Sequence, residues 1–453
     1  MKATQRIATA SSAPWGMAIV MCMVNAVAFI DRSALPLLVQ PITRDLKISD
    51  TQMSLLIGLA FILTYSIGGL FVGALVDRFP RKRILATAIG FWATSTMLCG
   101  TTFNFITMFI ARCGVGLGEA AGGPACMSII KDAFAPQYRG RAIAMWAMGA
   151  GIGAGSALLA GGAILRLVGE TGAVELPLLG AIRAWQLVLM ACGLMAWPVA
   201  LLVSLLPEPK RTAAPSTDRN ETDFRAALLN MRQRWHVFLP LFIVNAATIM
   251  ISTSYTSWIP AFLARSWHLS GPEIGLRMGL IVLILNTGGQ FAAGMLVDVI
   301  RRSYGTNAVP LFGLLMCVIV LLPAALIPYA SSLDMTWVMI AVLVPSIASL
   351  FTIGTATLVQ LTPSHVVGKI SGLHFAWAGT MGTAIAPTLV ALLSDRVFGA
   401  TPTAIGEALS VFAGTLSVIA LGGYALVWIF LRRESAMPIA AETASPSQAV
   451  RLR

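Results

Sequence analysis

Long apolar runs separated by short polar or charged clusters make up nearly the whole chain. Each run is about 20 residues, the length that a helix needs to cross the hydrocarbon layer of a membrane. The pattern therefore predicts twelve membrane-spanning helices. Their expected starting points are Gly16, Thr51, Arg83, Asn104, Gly140, Ala181, His236, Pro272, Asn307, Met335, Val366 and Thr403.

A polar stretch near the middle of the sequence is too long to be an ordinary loop. It follows Pro207 and Pro209, which cannot continue a helix, and extends to about Trp235. We expect it to link two bundles of six helices. The predicted organisation is a tail at 1–15, a bundle at 16–206, the linker at 207–235, a second bundle at 236–433 and a tail at 434–453.

Composition agrees with a membrane protein, since 57% of the residues are hydrophobic and only 11% are charged. Soluble domains carry about 25% charged residues. The net charge of +12 does not indicate a nucleic-acid binder, because the Lys and Arg residues form short clusters between apolar runs. About three times as many of them lie on the side of the termini, which predicts a multi-pass protein of the inner membrane with both termini cytoplasmic.

An internal repeat supports two similar halves. The segment from Gly73 to Arg83, after the second helix, resembles the segment from Gly294 to Arg302, after the eighth, about half a chain later. Two parallel repeats with the substrate site between them are typical of secondary transporters. The expected fold is all-α and integral to the membrane, with twelve helices in two six-helix pseudo-repeats.

Four ionisable side chains lie well inside predicted helices: Asp31, Arg32, Arg112 and Glu119. Each costs about 2.5–3.5 kcal/mol at the centre of a bilayer, which makes them functional candidates. Asp31 and Arg112 fall at similar depths, so an ion pair is expected between helices 1 and 4. Glu119 is then left without a cationic partner, and a buried unpaired carboxyl favours its protonated form. We therefore expect Asp31 and Glu119 to couple transport to protons; the alternative is a purely structural ion pair.

The substrate site is expected to combine the two arginines with uncharged side chains of the second half. Guanidinium groups can hold a carboxylate or phosphate by two parallel hydrogen bonds, which indicates an amphipathic anionic or zwitterionic solute. Small organic acids such as sugar acids or aromatic carboxylates are the alternative. The candidate substrate-binding residues are Arg32, Arg112, Tyr65, Asn245, Tyr255, Trp258, Asn286, Gln290, His374 and Trp377.

Charged residues at the ends of helices 2 and 8 are candidates for gating. The basic residues alone would only orient the chain, but the acid Asp77 adds nothing to a positive-inside signal. It can instead bridge to a basic residue or a helix N-terminus in one conformation and lose that contact in the other. The predicted gating residues are Asp77, Arg78, Arg81, Lys82, Asp298 and Arg301.

Residues for membrane-bound catalysis are not recognisable. The four histidines form no HExxH pair, and there is no nucleophile elbow or Walker loop. The six cysteines follow no metal-binding spacing. We therefore expect no catalytic residue, no cofactor and no metal. An integral-membrane enzyme or receptor remains the distant alternative to a monomeric transporter whose partners are its substrate, protons and membrane lipids.

The segment from Gly73 to Arg83 is similar to the loop signature of the major facilitator superfamily, Gly-x-x-x-Asp-Arg-x-x-Arg-Lys or Arg. Within it the chain resembles the spinster-like branch, at Phe29 to Arg32, Leu46 to Gln52 and Arg112 to Ala120. This resemblance implies a major facilitator fold, a lysophospholipid-like substrate and proton coupling. The anion:cation symporter branch shares the charged residues of helices 1 and 4 and favours the small organic acids.

Helix 5 departs from one signature of the superfamily. The glycines Gly149, Gly151, Gly153 and Gly155 are present, but Ala157-Leu158 replaces the Gly-Pro step of drug antiporters. Drug:proton exchange is therefore disfavoured. Glycines at four-residue spacing allow helices to approach closely, and we assign the run to packing.

The topology can be checked at Thr217, in the linker. In a background without cysteine, Thr217→Cys should react with an impermeant maleimide only after the inner face has been opened, because the positive-inside asymmetry places the linker in the cytoplasm. Labelling in intact cells would overturn this orientation.

Overall fold

The computed structural model describes residues 15–177, 180–211, 219–363, 366–399 and 401–436. The predicted tails therefore lie largely outside the described residues, as does Thr217. The described part is almost wholly helical, and eleven helices are long and apolar enough to cross a membrane. A twelfth, Arg81–Cys99, has 19 residues but begins with consecutive basic residues, which lower its hydropathy.

The twelve helical spans are numbered here in chain order, and spans 1–6 form the N half. They are Trp15–Leu37 (span 1), Asp50–Ser54 with Leu55–Leu59 and Ala60–Arg78 (span 2), Arg81–Cys99 (span 3), Phe105–Glu119 with Gly122–Ala133 (span 4), Pro136–Val168 (span 5) and Ala184–Leu205 (span 6). A short helix, Val39–Leu46, follows span 1.

Spans 7–12 form the C half, and a linker helix at Arg219–Gln233 precedes them. They are Trp235–Ser266 (span 7), Gly271–Leu280 with Ile281–Asn286 and Thr287–Tyr304 (span 8), Val309–Leu326 (span 9), Leu333–Leu361 (span 10), Val367–Thr380 with Met381–Ile385 and Ala386–Arg396 (span 11) and Ala404–Ala436 (span 12).

The spans begin within a few residues of the predicted positions, so the all-α twelve-helix prediction is confirmed. Span 5 begins earlier than expected because Pro136, whose missing N–H is not needed in the first turn, starts the helix. Span 6 begins later because Gly180–Arg183 is a β-strand. Spans 2, 8 and 11 each contain a π-helical turn, which the apolar pattern did not predict.

One end of the bundle, called here the linker face, carries Arg81 and the start of the linker. Its buried guanidinium donates to Glu208 through Nε at 2.9 Å and also contacts Asp132. Lys82 donates from Nζ to the Leu206 carbonyl oxygen. Partial burial opposes ionisation of Glu208, but hydrogen bonds from the backbone N–H of Lys82 and from Arg81 outweigh it and lower its pKa. The start of the linker is therefore fixed to spans 3 and 4.

A small β-hairpin lies at the other end of the bundle, called here the opposite face. Its strands β1 (Ala173–Leu176) and β2 (Gly180–Arg183) pair antiparallel. Asp45 at the end of the short helix accepts hydrogen bonds from Trp185 Nε1 at 2.8 Å and pairs with Arg183. Burial opposes ionisation of Asp45, but these hydrogen bonds outweigh it and lower its pKa. The connection between spans 5 and 6 is thus fixed to the short helix Val39–Leu46.

The glycines of span 5 face two different neighbours. A Cβ at Gly149 or Gly153 would overlap the backbone of span 1, in the same half. A Cβ at Gly155 would lie 2.7 Å from the Cβ of Leu283 on span 8, in the other half. The assignment of this run to packing agrees with the geometry. Span 5 therefore packs against span 1 within the N half and against span 8 of the C half.

The described polar contacts between the halves lie on the opposite face. Arg265 Nη2 donates to Asp50 Oδ1 at 2.6 Å, joining span 7 to span 2. Thr51 Oγ1 donates to Asp395 Oδ2 on span 11 at 2.6 Å. The halves are therefore closed together on the opposite face.

Glu208 offers a test of the linker-face anchor. Because its folded-state pKa is depressed, its ionisation stabilises the fold above the unfolded pKa of about 4.3 and the contribution is lost as pH falls through the lower folded value. Glu208→Gln should cost about 1 kcal/mol at pH 7, measured by thermal unfolding in detergent. The exposed Glu175 provides the control variant Glu175→Gln, which should have little effect. If the difference in stability between the wild type and Glu208→Gln stays constant down to pH 3, the ionised Glu208 does not stabilise this contact.

Candidate functional site

The first buried ion pair joins span 1 to span 4. Arg112 Nη1 donates to Asp31 Oδ2 at 3.0 Å, and both side chains are almost completely buried. The predicted pair between helices 1 and 4 is present. The same guanidinium donates from Nε to the Leu56 carbonyl oxygen at 3.3 Å, so it also contacts the backbone of span 2.

The second ion pair corrects an expectation from the sequence. Arg32 donates to Glu119 Oε2 from Nε at 2.8 Å and from Nη2 at 2.5 Å. The expectation that Glu119 lacks a cationic partner is therefore wrong. Asp31 and Arg32 are consecutive and point in directions about 100° apart on span 1, so each can meet a different residue of span 4.

Arg32 and Arg112 differ in their access to solvent. The Arg32 side chain is 32% exposed, whereas that of Arg112 is 2% exposed. The Arg32 guanidinium carbon lies 4.5 Å from the ring centre of Phe61 and 5.4 Å from that of Tyr65. The aromatic faces hold the cation in place, and part of it stays open to a ligand.

Each acid of the cluster has one oxygen without a described partner. Asp31 Oδ1 and Glu119 Oε1 are buried and accept no hydrogen bond from the described residues. The two acids are thus each held by one arginine and only half satisfied.

Small residues of span 4 allow this cluster to form. A Cβ at Gly116 would overlap the Phe61 carbonyl oxygen of span 2, and one at Gly118 would lie 2.7 Å from the Trp92 Cβ of span 3. Close approach brings Glu119 to the interior at the point where the first segment of span 4 ends.

Several candidates from the C half are buried within it. Tyr255 donates to the Ala324 carbonyl oxygen at 2.6 Å, and Trp258 Nε1 donates to the Pro387 carbonyl oxygen at 3.0 Å. His374 is fully buried beside Phe242 and Phe375. Asn245 is 2% exposed. In this conformation these four side chains pack between helices of the C half and are closed to solvent, because each lies on a face that meets a neighbouring span.

The remaining C-half candidates are more accessible. On span 8, Thr287 meets Gly151 of span 5, and Gly289 meets Pro345 of span 10. Asn286 and Gln290 lie between these two directions on the helix, on the side away from the exposed apolar residues Ile284 and Phe291. Gln290 is exposed, and Trp377 of span 11 is 43% exposed. Tyr65 is partly buried.

The structure changes the interpretation of the loop residues. Arg81 and Lys82 contact span 4, span 6 and the start of the linker, all within the N half, so these contacts are not a bridge across the halves. Arg78 is exposed, and the Asp77 side chain lies outside the described part. Asp298 and Arg301 form an exposed pair at 3.4 Å on one helix. The latch role of Asp77 stays a prediction.

Sequence reasoning missed the residues that close the opposite face. Neither Asp50 nor Arg265 is among the residues for which the sequence predicted a role. The one available signal was that Asp50 and Arg265 carry opposite charges at the same predicted membrane surface, in different halves.

Known proteins are similar to this chain over most of its length, at 21–25% identity. An MFS-type efflux pump of Mycolicibacterium smegmatis is 25% identical, over 93% of this chain and 94% of that protein. Protein spinster of Drosophila melanogaster is 21% identical over 82% of this chain, which spans 63% of that protein. The hexuronate transporter of Bacillus subtilis is 24% identical, over 88% of this chain and 90% of that protein.

A solved bacterial homologue of the human lysosomal transporter Spinster superimposes with a TM-score of 0.78, at 21% identity, over 93% of this chain and 98% of that chain. The Major Facilitator Superfamily profile matches residues 21–387. These relatives are transporters and not enzymes. The chain is therefore a multi-pass membrane protein that belongs to the Major Facilitator Superfamily, and it is similar to the spinster proteins within it.

Proposed function

We propose that this secondary transporter uses a proton gradient to move an amphipathic anionic or zwitterionic solute, of lysophospholipid type, by alternating access. The observation that carries the proposal is the buried cluster of Asp31, Arg32, Arg112 and Glu119, in which each acid keeps one oxygen without a described partner. The cluster lies in the N half, and Arg32 is its one side chain with a substantial exposed part.

Proton coupling is supported by the balance within each ion pair. Removing a carboxylate from water is costly. Each acid pairs with one arginine through one oxygen, and its other oxygen has no described partner, so the pairing compensates this cost only in part. A small change, such as a ligand anion drawing Arg32 away from Glu119, would then favour protonation of that acid. Substrate binding to Arg32 and protonation of Glu119 would therefore favour each other, which links the two events.

Arg32 is the proposed contact for the anionic headgroup. Both arginines are candidates from the sequence, but Arg112 is 2% exposed and already donates to Asp31 and to the Leu56 carbonyl oxygen. Arg32 has an exposed edge and a planar fork that suits carboxylate or phosphate. Tyr65, Asn286, Gln290 and Trp377 would contact the rest of the solute.

The second candidate is symport of small organic acids. It is favoured by the similarity to the Bacillus subtilis hexuronate transporter over 88% of this chain. A sugar acid would use the same Arg32 contact and the amides of span 8. Lysolipid is preferred because exposed aromatic and apolar side chains, such as Trp377, would remain without a partner against a fully polar solute.

We propose that the linker face is cytoplasmic and that the protein lies in the inner membrane. The charge asymmetry of the sequence supports this orientation. With the halves joined on the opposite face by Asp50 with Arg265, the conformation described here would then be open toward the cytoplasm.

Neutralising the acids should separate coupling from binding. Glu119→Gln and Asp31→Asn should abolish pH-driven accumulation in proteoliposomes while exchange at equal pH persists, because the amide keeps the shape but cannot titrate. The variant Glu175→Gln, at an exposed acid of β1, is the control and should accumulate substrate normally. Accumulation by both variants at the wild-type rate would make these carboxyls structural.

The headgroup contact can be tested by keeping the charge and removing the fork. Arg32→Lys should weaken lysophospholipid binding about tenfold or more, since hydrogen bonds to charged groups contribute about 1.5–3 kcal/mol. Ligand-induced thermal stabilisation measures the change, with a hexuronate titrated in parallel to distinguish the substrate classes. Arg44→Lys, at a 56% exposed arginine of the opposite face, is the control. Unchanged binding of both ligand classes to Arg32→Lys would remove the headgroup role.

A further inference from the structure

Arg112 connects the buried acid of span 1 to an unusual turn of span 2. Leu55–Leu59 is a π-helical turn, in which carbonyl oxygens lose their ordinary α-helical partners. The Leu56 carbonyl oxygen of this turn accepts from Arg112 Nε at 3.3 Å, while Nη1 of the same guanidinium donates to Asp31. One side chain therefore holds both a titratable group and the backbone of the turn.

The same turn is in direct contact with the other half. A Cβ at Gly58 would overlap the Thr383 carbonyl oxygen, which belongs to the π-helical turn Met381–Ile385 of span 11. That second turn is also held by a side chain, since Thr253 donates from Oγ1 to the Gly382 carbonyl oxygen at 2.7 Å. Two irregular turns thus meet backbone to backbone across the interface between the halves.

The residues before the turn in span 2 make the contacts that close the opposite face. Ser54 donates to Thr388 Oγ1 at 3.2 Å, Thr51 bonds Asp395, and Asp50 pairs with Arg265. A helix turns about 100° per residue. A one-residue change of register at the turn would therefore rotate all three side chains away from their partners.

We propose that Arg112 is a positioning residue that makes closure of the opposite face depend on the charge of Asp31. While Asp31 is ionised, it aims the guanidinium at the Leu56 carbonyl oxygen and keeps the turn in its π register. When Asp31 is neutral, Arg112 is released, the carbonyl loses its donor, and the turn relaxes toward α-helix. The start of span 2 then rotates and the halves separate on the opposite face.

The groups around Arg112 are few. Charged neighbours are Asp31, Arg32 and Glu119. The other titratable groups that interact with this cluster are Tyr65, Cys99, Cys113 and Cys192. The inference rests on the proposed function, in which protonation of Asp31 is a step of transport. Arg112 would transmit that step to the turn of span 2. The contacts themselves can be tested without transport.

The experiment measures the distance between the halves on the opposite face. Spin labels at Glu175→Cys and Ser331→Cys, both exposed, report it in a chain whose native cysteines are replaced. Asp31→Asn should raise the ratio of open to closed molecules about fivefold, as expected for the loss of one hydrogen bond. Arg112→Lys should do the same, because an ammonium group lacks the fork that reaches both partners.

Thr64→Val is the matched control. Thr64 donates to the Cys113 carbonyl oxygen at 2.7 Å, a bond between spans 2 and 4 that does not involve the turn. This nearly isosteric change should leave the distances as in the wild type. Amide hydrogen exchange of a peptide covering Leu55–Ala60 should rise in Asp31→Asn and Arg112→Lys but not in Thr64→Val.

If Arg112→Lys does not fold, the distances and the hydrogen exchange of Asp31→Asn still decide the proposal. Gly58→Ala, whose added Cβ would overlap the Thr383 carbonyl oxygen, shows separately that the turn contributes to closure. Unchanged distances in Asp31→Asn, or an equal shift in Thr64→Val, would overturn the role of Arg112. Transport without a pH response would refute the proposed coupling instead. The two failures are therefore distinguishable.

Discussion

The cost of removing charge from water governs the N half. Four ionised side chains in the middle of a bilayer cost on the order of 10 kcal/mol unless they pair, and every buried Asp, Glu, Arg or Lys among the described residues belongs to this half. Pairing requires spans 1, 2 and 4 to approach closely, which the glycines at 116 and 118 allow. The position of the helices, the shape of span 4 and the accessibility of Arg32 all follow from satisfying these charges.

The C half has the complementary character. Its polar side chains, such as Tyr255 and Trp258, are mostly bonded to backbone carbonyls inside the half. It therefore offers a firm surface against which the charged half can move. Closure depends on contacts at one end, where Asp50 meets Arg265, and on backbone proximity at Gly58 and Thr383. A few polar bonds of modest energy can be exchanged between conformations, whereas a continuous apolar interface could not.

Hydrophobic periodicity was sufficient to predict the helices, because a membrane leaves the backbone few alternatives. Depth along the helices also predicted the pair of Asp31 with Arg112. It did not predict the partner of Glu119, because depth says nothing about the direction in which Arg32 points. The π-helical turns and the contact of Arg112 with Leu56 were equally inaccessible, since they depend on how one helix packs against another. The β-hairpin was also missed, because strands of four residues are too short to carry a clear periodic signal.

The bond between Asp45 and Arg183 gains meaning from the environment of the opposite face. With the orientation proposed above, that face meets the acidic side of the proton gradient. A carboxyl of ordinary pKa would begin to lose its charge there as the medium acidifies. The pKa of Asp45 is lowered by Arg183 and Trp185 despite its burial, so it remains ionised under conditions that would neutralise an unassisted acid. The ion pair that holds the hairpin to the short helix on this face therefore keeps its charge as the medium acidifies.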